Sequence, residues 1–250
     1  MWNIFIKLFP IFMLNSNVIR KNSNIKGVLF DVDGTILDTQ IIYDQVNQKI
    51  INEYGNGQKY EWDIKIKTRG ARLEEVYSVM QKRFEIKLTL KEFEKKRNEY
   101  AYEPFKNSKF FPGARELTHS LKHNIKLKTA LATSSPKNSF DNKTERLKDW
   151  LKEDIDKIIT GDDKRIKNGK PAPDIFKIAA EELNLKPEEC IVFEDAINGI
   201  QSAISAGVKV IVAIPEPFFK KAAEELDYDK SKTQLIILDS IKDFDMSLIK

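Results

Sequence analysis

Three things are scarce in this 250-residue chain, and each scarcity removes a class of protein. The first is cysteine. Cys190 is the only one, so no internal disulfide can form; within the apolar run "CIVF" it reads as a small core residue of a reducing compartment, and a cytoplasmic location is expected. The second is charge of one sign. The chain carries 42 Lys and Arg against 38 Asp and Glu, a net of +4 with no long run of either sign. The densest basic stretch, Lys164, Arg165, Lys167 and Lys170, lacks interleaved aromatics and reads as a solvated loop rather than a footprint for a nucleic acid polymer. The third is long apolar runs. Residues 1–14, "MWNIFIKLFPIFML", are interrupted by Lys7 and Pro10, lack a basic lead and fall short of the roughly 20 residues that span a bilayer. No membrane span is expected, and residues 1–24 are either a targeting segment or, the favoured reading, an extension packed on the domain. A long apolar heptad is also missing, which argues against a coiled-coil assembly; a monomer is expected.

What is present is a rhythm. The 41% hydrophobic content suffices for a buried core. Six short β-like runs recur at 26–31, 125–133, 157–160, 190–195, 208–214 and 234–239, several apolar on consecutive positions, as in strands buried on both faces. Helical patterns at 173–185 and 198–207 alternate with them, the second closed by Gly207. Strand, helix, strand predicts an α/β fold, a mostly parallel Rossmann-like sheet with helices on both faces. Residues 39–112 break the rhythm. They show only helix-period patterns and predict an all-helical insertion that caps the sheet's carboxyl edge, leaving 25–38 and 113–250 as the core domain, with Pro112 and Gly113 a candidate hinge.

The first strand runs into "FDVDGT", two carboxylates two residues apart. A period of two sends Asp31 and Asp33 toward one side, at the strand end where ligands of open parallel sheets bind. Two carboxylates that close repel unless a cation or a proton separates them, which suits a metal and a nucleophile. A calcium loop fails on spacing, because Ile36 and Ile42 stand where Gly and Glu are needed; a plain solvated turn is the alternative. Other strand ends weigh against the turn. "ALATSS" offers the hydroxyls and N–H groups of Thr133, Ser134 and Ser135 to an anion. "GKPAPD" presents Lys170 as a point charge for phosphate. "VFED" ends in Glu194 and Asp195, hard oxygen ligands suited to Mg²⁺.

This ordered set, "FDVDGT", "ALATSS", "GKPAPD" and "FEDAINGI", resembles the four motifs of the haloacid dehalogenase superfamily over residues 25 to about 215. The helical insertion resembles the cap of the β-phosphoglucomutase and small-molecule phosphatase group. The stretch from "ALATSS" through "SFDNKT" and "TGDD" to "GKPAPDIF" resembles the pseudouridine-5′-phosphatases within it. The acid at Asp33 sets phosphatases and mutases apart from dehalogenases. The resemblance implies a Mg²⁺-dependent phosphatase of a small phosphomonoester, a nucleoside or sugar phosphate, working through an aspartyl-phosphate. Asp31 is then the nucleophile, Asp33 the acid and base, and Lys170 the catalytic cation. Thr133 and Ser134 bind the phosphoryl oxygens, and Asp31, the Asp33 carbonyl, Glu194 and Asp195 hold the metal. Arg69 and Arg72 are candidate substrate contacts in the cap, with surface ion pairing as the alternative. Tyr43 reads as core. A phosphomutase and a catalytically silent binding protein are the rival functions.

Overall fold

The computed structural model describes residues 24–249; the targeting or extension reading of the N-terminus lies outside the described residues apart from residue 24. All six expected strands form: β1 (Gly27–Phe30), β2 (Lys128–Ala132), β3 (Lys157–Ile159), β4 (Cys190–Glu194), β5 (Val210–Ala213) and β6 (Gln234–Ile237). They make one wholly parallel sheet in the order β3-β2-β1-β4-β5-β6. The first strand is thus central, flanked by β2 and β4. Placing it there brings Asp31 between the ends that carry Thr133 and Glu194. The second strand starts later than its apolar pattern suggested, because a π-helical turn over Ser120–Asn124 takes up the connection from α5 (Ala114–His119).

The strand period of two sorts the core into two layers. Val28, Phe30, Ile191, Phe193, Val210 and Val212 face one side, where Trp150 of α7 (Lys148–Asp154) and Leu117 of α5 cover them. Leu29, Val192 and Ile211 face the other, covered by α8 (Asp174–Glu182) and α9 (Ile197–Ala206). Burial on both faces explains why β1 and β4 read as unbroken apolar runs. Gly207 closes α9 at φ +84, where an L side chain would be strained.

Within the stretch 39–112 that follows β1 lie four helices: α1 (Gln40–Tyr54), α2 (Trp62–Thr68), α3 (Leu73–Phe84) and α4 (Leu90–Lys106). They enclose a third apolar cluster of their own, with Ile50, Met80, Phe84 and Phe93 fully buried. Thr89 caps α4 reciprocally with Glu92, the signature "TLKE" in the sequence. Among the described residues no helix is long and apolar enough to cross a membrane.

Candidate active site

The site is assembled at the carboxyl ends of β1, β2 and β4 and the loop before α8. Asp31 continues the β1 ladder for one more bond, its N–H donating to Phe193 O at 3.0 Å. The chain then turns at Gly34, φ +96, where an added Cβ would lie 2.1 Å from Asp195 Oδ2. Only glycine admits that approach, so the turn and the acidic pair after β4 are built against each other.

Lys170 is wholly buried and bridges two acids, donating to Asp31 Oδ1 and Glu194 Oε1, both at 2.6 Å. Glu194 is further fixed by the N–H of Ala196 at 2.7 Å, and it packs against Gly199 of α9, where a side chain would collide with it. Burial tends to discharge Lys170, but the Asp31 and Glu194 charges overcome it and hold its ammonium above the ordinary lysine range. Burial, only partly countered by Lys170 and reinforced by Glu194 and Asp33, pushes Asp31 up to about 7. Asp195 is likewise raised by burial, then by Glu194 and Asp31.

Asp33 sits in the opposite environment. Lys143, the last residue of α6 (Lys137–Lys143), reaches both of its oxygens, at 2.5 and 2.7 Å. Thr39 donates to Oδ1 at 2.7 Å, and Ser135 and Thr133 to Oδ2 at 2.8 and 3.2 Å. Burial works against the carboxylate, yet Lys143 and these hydroxyls outweigh it and hold Asp33 below the usual range. Lys143 also donates to Tyr43 Oη at 2.9 Å and Ser135 Oγ at 2.8 Å. Tyr43 therefore reaches the site rather than serving the helical core alone. Neither Lys143 nor the two hydroxyl donors Thr39 and Ser135 were singled out as partners of Asp33 from the sequence. "SFDNKT" carried the signal, an isolated lysine on an otherwise buried helical face.

The remaining candidates separate. Thr133 accepts the N–H of Ser135 at 3.1 Å, and Ser134 Oγ donates to Gly70 O at 2.8 Å, tying the β2 end to the helical layer. Arg69 is 7% exposed and spans Asp44, Glu216 and Gln40, with 3.2 Å to Asp44 Oδ1 and 2.9 Å to Glu216 Oε1. Its charge is taken up by these acids. Arg72 lines a neighbouring hollow with Glu74 and Asp162, not the cavity above Asp31 and Asp33.

Gln40 bears on a cation. Its Nε2 donates both to the Asp33 carbonyl, at 2.8 Å, and to Asp195 Oδ2, at 2.9 Å, while Arg69 takes its Oε1. Two expected ligand oxygens thus face one point, held there by a hydrogen-bond donor. Asp31, Glu194 and Asp195 are three acids, and among the described residues one lysine, Lys170, bonds the first two. The donor set fits a hard divalent cation. A second ligand-like group, His119, His123 and Asp154, lies at the opposite end of β2, where Thr129 Oγ1 holds the Asp154 carbonyl, and takes no part in this site.

The haloacid dehalogenase-like hydrolase profile matches residues 28–213. A probable pseudouridine-5′-phosphatase of Saccharomyces cerevisiae is 38% identical over 202 residues, 77% of this chain and 84% of that protein. A phosphorylated carbohydrates phosphatase of Thermotoga maritima is 33% identical over 190 residues, 76% of this chain and 85% of that protein. The crystal structure of a β-phosphoglucomutase from Clostridium difficile superimposes with a TM-score of 0.70 at 23% identity, covering 89% of this chain and 94% of that one, and shares the fold. The match across three strand ends and the helical layer between the first two means that this chain belongs to the haloacid dehalogenase-like hydrolase family.

Proposed function

We propose that the protein is a Mg²⁺-dependent phosphatase of a small phosphomonoester, a nucleoside or sugar phosphate, acting through an aspartyl-phosphate. The observation that carries this reading is the convergence of two hydrogen-bonded groups at the same strand ends, Asp31 with Lys170 and Glu194, and Asp33 with Lys143 and, through Gln40, Asp195, with Asp31 and Asp33 lining a cavity under the helical layer. The phosphatase names of the relatives support it.

Asp31 attacks phosphorus in line with the leaving oxygen; the Asp31 O–P bond forms as the P–O bond to the leaving group breaks. The leaving oxygen needs a proton, and Asp33 with Lys143 supplies it as a unit, since Lys143 Nζ touches both Asp33 oxygens. In the second step water attacks phosphorus, its proton passes to Asp33, and Asp31 is released. The low affinity of Asp33 for protons when paired with Lys143 suits it to give up its proton in the first step and to stand as a carboxylate, ready to take that of water, in the second. Asp31, Asp195 and the Asp33 carbonyl would hold the cation, whose charge lowers the repulsion between carboxylate and phosphate. Glu194, engaged by Lys170 and the Ala196 N–H, positions the lysine instead of offering a free oxygen. Thr133, the Ser134 N–H and Lys170 then face the non-transferring oxygens. The helical layer closes off water, which proximity catalysis needs to reach its ~7–11 kcal/mol. Arg69 acts as a strut that fastens α1 to the loop after β5.

Phosphate release from a panel of nucleoside, sugar and glycerol phosphates, with and without Mg²⁺, tests this. Metal-dependent turnover that Asp31→Asn abolishes is expected. Isomer interconversion without phosphate release would replace the reading with a mutase, and phosphate ester binding without either reaction with a binding protein.

A further inference from the structure

The cavity above Asp31 and Asp33 reaches up between α1 and α4, and its upper wall holds a cation that no acid among the described residues pairs with. Arg97 of α4 lines it. Its guanidinium lies over the Tyr43 ring at 5.1 Å and near the Phe93 ring at 5.8 Å, and its Nε is buried without a hydrogen-bond partner. Among the described residues no carboxylate forms an ion pair with it, in contrast to Arg69, which is bound by Asp44 and Glu216. Across from it on α1, one turn beyond Tyr43, stands Asn47, 2% exposed, lining the same cavity, its Oδ1 also buried without a partner. Val46, Val76, Ala101 and Phe105 add apolar surface to the lining, alongside the polar side chains of Tyr60, Thr68 and Asn98.

We infer that Arg97 and Asn47 form the subsite for the leaving group, and that it selects phosphomonoesters carrying a second anionic group, a carboxylate or another phosphate, together with a hydroxyl. This rests on the phosphatase reading above. Arg97 is half-buried, but its Nε is desolvated without a partner, which is costly, and a charge-assisted bond to a ligand anion removes that cost. An amide oxygen without a donor asks for a hydroxyl in the same way. Position sets the direction of the substrate. Arg97 stacks on the ring whose hydroxyl bonds Lys143 and Ser135, which in turn hold Asp33, so a second anion at Arg97 lies one aromatic ring above the reacting phosphate.

Matched pairs test this: glycerol 3-phosphate against 3-phosphoglycerate, and glucose 1-phosphate against glucose 1,6-bisphosphate. The doubly anionic member of each pair is expected to have a kcat/KM about 10- to 100-fold higher, carried mainly by KM. Arg97→Met should bring each ratio to within about twofold, and Arg97→Lys should restore part of it. Equilibrium binding of the same pairs to Asp31→Asn gives a readout without turnover. Equal treatment of both members by the wild type, or an equal loss for both in Arg97→Met, overturns the inference. Absence of turnover for every compound with the binding preference intact would instead overturn the phosphatase reading and leave the subsite standing.

Discussion

Two buried lysines meet two aspartates two residues apart, and the outcomes are opposite. Lys170 divides its charge between Asp31 and Glu194, with Asp195 close behind, and Asp31 is pushed up to about 7. Lys143 gives both of its short bonds to Asp33, three hydroxyls add theirs, and Asp33 is held low. Burial opposes the charged form in both cases. What differs is the number of acids sharing one cation and the supply of neutral donors. The arm with surplus negative charge is the one where a divalent cation fits; the compensated arm keeps its carboxylate without one.

The sharpest way to break this contrast is Asp31→Asn. Turnover should fall by at least about 10³-fold, measured as phosphate release, with circular dichroism unchanged, because the nucleophile is lost while Lys170 keeps Glu194. Lys143→Gln comes next. It strips Asp33 of its lysine partner and leaves it to the hydroxyls of Thr39, Thr133 and Ser135, so kcat should drop by about 10²-fold and the acid limb of the pH–rate profile should move to higher pH. An acid limb that stays in place would show that Asp33 does not govern it.

Stability without metal sharpens the same comparison. Between its unfolded value near 3.8 and about 7 the folded Asp31 binds a proton that the unfolded chain has released, so its contribution falls as pH rises through that window. Asp33 runs the other way: its stabilisation is present above its unfolded value and lost as pH falls through its lower folded one. Chelator-treated wild type should therefore lose stability toward Asp31→Asn from pH 5 to pH 8, by up to a few kcal/mol in urea titrations. Addition of Mg²⁺ at pH 8 should reverse the difference. The smallest effect is expected at the strut. Arg69→Met leaves Glu216 without its arginine and Asp44 with Lys65 alone, and should cost about 1–3 kcal/mol, with little change in kcat; a loss of kcat that exceeds the stability effect would return Arg69 to the substrate.

The strands were legible because burial on both faces writes itself as unbroken apolar runs, as in β1 and β4. The late start of β2 was not, since a π-helical turn leaves no apolar period to read. Asp31, Asp33, Lys170, Glu194 and Asp195 stood out as acids and a lysine at strand ends. Lys143 was quoted within a motif but given no role, because a lysine near the end of a short helix looks the same in sequence whether it is solvated or buried under a carboxylate. Arg69 drew attention beside Gly70, but Asp44 and Glu216, 25 and 147 positions away, claim its charge. Arg97 lay unnoticed in the charged stretch "KKRNEY", and only the packing of α1 on α4 shows it turned inward to Tyr43.

The sequence by itself determined the chemical inventory and its place at the strand ends, because alternation and local spacing bind residues a few positions apart. Which cation answers which acid was decided by the tertiary structure. Charges interact over a few ångströms of space and not along the chain, so Lys143 and Asp33, 110 residues apart, become partners only when α6, packed on α4, brings the lysine to the carboxyl end of β1.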